Sequence, residues 1–122
     1  MSSAKALLKL GNLKDSVSLA YYSMYHCLLA ALFKIGIKCE NHAASIILMK
    51  EVFERDNTSI SNAKKERIDK QYYVDFEVNK QEAEISIKIA EDFIAEMGPL
   101  IASFTEEGIK KYHEKAVELF IE

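Results

Sequence analysis

Apolar residues recur every three or four positions along most of this chain, and the breaks in that rhythm mark where its elements end. From Ala4 to Leu10, apolar residues and lysines alternate at helical spacing up to Gly11, which predicts a short first helix. A segment of about two turns must dock on a neighbour to persist. Ser18 to Ile37 reads as one long helix, with Asn12 or Asp15 as its cap and Gly36 as its stop. Val17, Tyr21, Met24, Leu28 and Leu32 fall on one side of it, and Ala20, Cys27, Ala31 and Ile35 on an adjoining side. Two stripes that wrap more than half the circumference predict a central helix. Its second half, Cys27 to Phe33, is apolar on every side and needs cover from neighbours or from a partner subunit.

Asn41 caps a third predicted helix, His42 to Phe53. The polar stretch from Glu54 to Asn62, with DNTSISN at its centre, predicts a loop. Ala63 to Tyr73 follows as a fourth helix with few apolar residues, expected to lie across the surface of the bundle or to be held by polar contacts. Residues 72 to 78, YYVDFEV, alternate like a strand, but an isolated strand has no partner, so they are read as a helix end and connector. Asn79 and Glu82 form a capping box for a fifth helix, Lys80 to Met97, which Gly98 and Pro99 are expected to end. Thr105, or Ser103 with Glu106, opens a last helix with Ile109, Tyr112, Ala116, Val117 and Phe120 on one stripe, and His113 opposite it as an expected surface residue. The sum is an all-α fold, an up-and-down antiparallel helical bundle of four to five main helices with short connections, in one domain spanning residues 1–122.

Composition supports this picture. The chain is 49% hydrophobic, with one proline and four glycines, so helix breakers are scarce. Cys27 and Cys39 are read as reduced thiols of a cytoplasmic protein, without metal-ligand spacing. No uninterrupted apolar run approaches the ~20 residues that span a bilayer, and no membrane partner is expected. A net charge of −3 argues against whole-molecule steering of nucleic acid and leaves room for a local basic patch.

Candidate chemistry gathers in two places. Tyr21 and Tyr25, and Tyr22 and His26, are pairs four residues apart, so each stacks along one face of the long helix. Such phenols and imidazole can meet a nucleotide base, a phosphate or a partner chain, or serve as core and interface. On the fourth helix, Arg67 precedes Asp69, Tyr72 and Tyr73; an arginine fork grips phosphate, or pairs with a carboxylate to hold the helix down. There is no hydrolytic triad, no HExxH or paired CxxC metal motif and no glycine-rich phosphate loop, so no metal and no cofactor are expected.

Three separated pieces now carry a resemblance. AYYSMYHCLLAALFKIGI (20–37), ENHAASIILM (40–49) and KKERIDKQYYVDFEVNKQEAEISIKIAEDFIAEM (64–97) resemble the HEPN superfamily. Within it they are most similar to the small standalone branch with a tyrosine-rich YYxMF-type helix. That resemblance implies a homodimer, a nucleotidyltransferase partner in a toxin–antitoxin-like pair, and contact with a nucleotide or RNA. The implied nucleotide-binding set is Tyr21, Tyr25, His26, His42, Arg67, Asp69 and Tyr73. Tyr22 and Met24 also match the tyrosine-rich helix, and Lys70 stands where relatives frequently have tyrosine. The ribonuclease members place a histidine four to six residues after an arginine; after Arg67 this chain has none. A metal-independent ribonuclease would therefore have to recruit His26 or His42 from other helices to work with Arg67. A binding or regulatory protein is the leading expectation, with a ribonuclease toxin or a structural bundle without ligand as alternatives.

Overall fold

The computed structural model describes residues 1–72 and 77–121, with side chains described for 1–68 and 77–119. Six helices follow in order: α1 (Ser2–Lys9), α2 (Leu13–Lys34), α3 (His42–Glu51), α4 (Thr58–Tyr72), α5 (Lys80–Ala102) and α6 (Glu106–Ile121). They pack as an all-α antiparallel bundle, and no strand occurs among the described residues. The six correspond in order to the six helical segments expected from the sequence, of which α1 is the shortest.

α2 is the axis. It packs most extensively on α5, then on α4 and α1, and touches α3 near its middle. Its predicted stripe is the core: Val17, Tyr21, Met24, Leu28 and Leu32 are buried, as are Ala20, Ala31 and Ile35 on the adjoining side. By length and composition α2 is apolar enough to cross a membrane, yet half of its most apolar window is buried within the bundle. Four packed neighbours account for that apolar character. The cover is incomplete: Phe33 is 76% exposed and Ala30 is also on the surface.

Local chemistry sets most of the ends. α1 stops before Gly11, at φ +81°, and α2 before Gly36, at φ +82°. Asn12 is the N-cap residue of α2, without a side-chain capping bond. The Ser16 hydroxyl donates to the Ala4 carbonyl at 2.9 Å inside the core, which fastens the short α1 to α2. Asn41 Oδ1 accepts from the Ala44 amide at 2.9 Å, and Asn79 Oδ1 from the Glu82 amide at 2.8 Å, so both asparagines cap as expected.

Three expectations are corrected. The polar run DNTSISN is mostly helix, since α4 already begins at Thr58. Its polar groups are spent on backbone: Asp56 accepts from the Thr58 amide at 2.9 Å, and Asn57 Nδ2 donates to the Ile46 carbonyl at 2.9 Å. Ile60 is then fully buried, so α4 is fixed to the core rather than laid over it. Second, α5 runs through Gly98 and Pro99 to Ala102. Proline removes one bond, to the carbonyl four residues back, but Ala95 there is exposed to water while Met97 and Leu100 are buried. Burial on both sides of the breakers carries the helix on. Residues 73–76 of the YYVDFEV segment lie outside the described residues.

The third correction is His113. It is half-buried, and its Nδ1 donates to the Ile35 carbonyl at 2.9 Å, satisfying the frayed end of α2. Around it, Phe53, Phe104 and Tyr112 form a ring cluster with centroids 5.2 to 5.7 Å apart, and Ala116 is buried. Thr105 Oγ1 accepts from the Gly108 amide and caps α6. A Cβ added at Gly36 would lie 3.0 Å from His113 Nδ1, whereas one at Gly11 meets nothing within 4 Å. Both glycines have the same φ, so Gly11→Ala measures the backbone cost alone, about 1 kcal/mol. Gly36→Ala is expected to cost about 1 kcal/mol more by urea denaturation, because it also pushes His113 off its carbonyl.

Candidate functional site

The middle of α2, the first turn of α3 and the second half of α4 converge on one ring cluster. Tyr21, Tyr22, Tyr25 and His26 come from α2, His42 opens α3, and Arg67 reaches in from α4. The helical spacing places Tyr21 and Tyr25 in a stack, with centroids 6.2 Å apart, and Tyr22 over His26 at 6.3 Å. The Asn41 cap orients α3 so that its first residue, His42, enters between them.

His42 is the hub. Its ring lies 3.8 Å from that of Tyr25 at an interplanar angle of 21°, and it meets Tyr22 edge-on at 6.2 Å. The Tyr21 hydroxyl is 2.8 Å from His42 Nδ1. Tyr21 is buried, so a phenol that failed to donate would leave an unsatisfied O–H in the core. The phenol therefore donates to Nδ1, and the imidazole proton sits on Nε2.

Arg67 is held by Tyr22. Its Nη2 donates to the Tyr22 hydroxyl at 2.6 Å, and the guanidinium carbon lies 4.8 Å from the Tyr22 ring centre. The pair thus combines a hydrogen bond from a charged donor with cation–π attraction. Tyr22 lies outside the nucleotide-binding set that the resemblance implies, yet it positions the arginine. Its spacing of four from His26 was the available signal.

Electrostatics set the protonation states. Burial, reinforced by Tyr25 and opposed by the Arg67 charge, pushes the Tyr21 phenol up to about 12. Burial first, then the charges of Arg67, Lys64 and His26, lower the pKa of His42 below its ordinary 6.5. At neutral pH the hub is a neutral imidazole beside a neutral phenol and a permanent cation. Because the unfolded chain binds the His42 proton more readily, this contribution to stability is complete above pH 6.5 and is lost as pH falls through the depressed value. Denaturation midpoints are expected to fall more between pH 7 and pH 5 for the natural chain than for His42→Gln.

The cluster gathers Tyr21, Tyr25, His26, His42 and Arg67 of the expected set. His26 is at its exposed edge, and Tyr22, His42 and Arg67 are half-buried, so an incoming molecule can reach the arginine and both imidazoles. The side chains of Asp69 and Tyr73 lie outside the described ones. Among the described residues, no group of three or more histidines, cysteines or carboxylates is arranged to hold a metal ion. Chemically the cluster offers a guanidinium cation, an imidazole whose Nε2–H can donate, and flat aromatic surface.

Comparison with known proteins agrees with the pieces that carried the resemblance. A UPF0332 protein of Pyrococcus horikoshii is 48% identical over 46 residues, which is 38% of this chain and 32% of that relative. The match thus spans about a third of the relative's length. No solved structure matches the chain. The model of the HEPN domain matches residues 1–100, all of α1 to α4 and nearly all of α5, and with that extent of agreement the chain belongs to the HEPN domain family.

Proposed function

We propose that this protein is a nucleotide-binding regulatory subunit, the HEPN partner of a nucleotidyltransferase in a toxin–antitoxin-like pair, working as a homodimer in the cytoplasm. The observation that carries the reading is Arg67, fixed at 2.6 Å on the Tyr22 hydroxyl at the edge of a ring cluster open to solvent at His26. An oriented fork suits phosphate oxygens, and Tyr22, Tyr25 and His26 supply faces for a base. The exposed apolar strip of α2, with Phe33 and Ala30, adjoins His26 and gives a partner chain something to cover. Co-expression with a minimal nucleotidyltransferase of the same genome is expected to yield a complex that survives size-exclusion chromatography at micromolar concentration. Elution of the two chains apart would remove the partner claim.

A second reading has one observation in its favour. His42 shares the cluster with Arg67 and keeps its Nε2–H as a donor, so an imidazole and a phosphate clamp occur together without the usual spacing in sequence. Cleavage of single-stranded RNA by the natural chain, lost in both Arg67→Ala and His42→Ala, would establish the ribonuclease. No cleavage, or equal cleavage by the variants, would exclude it.

A further inference from the structure

A pocket of about 190 Å3, open to solvent along the exposed Ser59, Asn62, Glu66 and Ile89, lies between α2, α4 and α5 and is lined by Tyr21. Its existence follows from the composition of α4. That helix turns Ala63 and the polar Ser59 and Glu66 toward α2 and α5, where a typical bundle helix would bring leucines. Val17, Ala20, Tyr21 and Met24 of α2 form the floor, and Ile89 of α5 closes one side. None of the described side chains fills the gap, and its walls are largely carbon.

Size and lining restrict what fits. A cavity of about 150 Å3 walled by aliphatic side chains takes up benzene, so this one accommodates a molecule with one or two fused rings. The Met24 thioether and the Tyr21 ring both favour aromatic over aliphatic contacts. The Glu66 carboxylate at the wall opposes anions. A phosphate-bearing nucleotide therefore belongs at Arg67, and a different ligand belongs here.

Tyr21 joins the two places, since it lines the cavity while its hydroxyl holds His42 at 2.8 Å. Glu66, in the cavity wall, is also the chain neighbour of Arg67. We propose that the cavity between α2, α4 and α5 binds a small, flat aromatic molecule that is neutral or cationic, and that its occupancy is communicated to His42 through Tyr21. The proposal stands whether or not the ring cluster binds a nucleotide.

Indole and its anionic analogue indole-3-acetate are the probes, followed by methyl NMR of Met24, Ala20 and Ala63. Indole is expected to shift these signals saturably with a dissociation constant on the order of 1 mM or tighter. Indole-3-acetate is expected to bind about tenfold more weakly, with most of the difference removed by Glu66→Gln. Ala63→Phe fills the cavity from α4 and is expected to abolish the shifts; Ser86→Leu, from α5, serves the same purpose if the first variant does not fold. Indole is also expected to move the ring signals of His42 in the natural chain and not in Tyr21→Phe, which keeps the ring wall and lacks the hydroxyl. Non-saturable shifts, or saturable shifts that persist in a folded cavity-filling variant, would overturn the site. An unchanged His42 in the presence of bound indole would overturn the coupling.

Discussion

Leu28→Ala is expected to remove about 3–5 kcal/mol of unfolding free energy, enough to leave a domain of this size marginal or unfolded at 37 °C. Leu28 is fully buried on α2, the helix against which α1, α3, α4 and α5 pack. Truncation there loses the transfer energy of three carbons and opens a void that the surrounding core closes only in part. Phe33→Ala, one and a half turns further along the same helix, is the contrast. Phe33 is 76% exposed, so its loss is expected to change the unfolding free energy of the isolated chain by no more than about 0.5 kcal/mol. A large effect of Phe33→Ala at high protein concentration that fades on dilution would reveal a chain that covers this strip. Urea denaturation at two concentrations separates the cases.

Arg67→Ala is expected to weaken nucleotide binding by about 10- to 100-fold, the loss of one hydrogen-bonded, charge-assisted contact. Isothermal titration of the purified protein with nucleoside mono- and triphosphates measures it. Arg67→Lys is expected to recover little, since an ammonium cannot keep both the Tyr22 hydroxyl and the ring face while presenting further donors to phosphate. Tyr22→Phe keeps the ring and removes the hydroxyl, and its loss of affinity is expected to be smaller, about threefold to fivefold. Equal affinities across the three variants would leave the ring cluster a structural layer.

The elements of this fold that local chemistry governs were legible in the sequence. Asn41 and Asn79 cap, Gly11 and Gly36 stop helices, and the stripe from Val17 to Leu32 is the core. What the sequence hid is decided by groups far apart in the chain. DNTSISN looks like a loop until Asn57 is seen bonded to Ile46, and Pro99 looks like a terminator until Leu100 is seen buried beyond it. His113 looks like a surface residue because the Ile35 carbonyl it serves is 78 residues away. The site divides in the same manner. Stacked pairs four apart on α2 are local and were readable, whereas the choice of Tyr22 as the seat of Arg67 depends on the packing of α4 on α2.

α6 differs from the other helices in how it is attached. Among its described residues Ala116 alone is fully buried, and the helix is otherwise held by the partly buried Ile109, Tyr112 and Val117, the His113 bond and an exposed Lys115–Glu54 pair. An exposed pair of that kind contributes little. Amide hydrogens of α6 should therefore exchange with deuterium through a local opening that leaves α2 protected, at a free energy well below that of global unfolding. Each such opening bares Phe53 and Phe104 to water for a moment. The seam between α6 and the Phe53–Phe104 rings thus breathes, and it is a place where slow self-association on storage and proteolysis can begin.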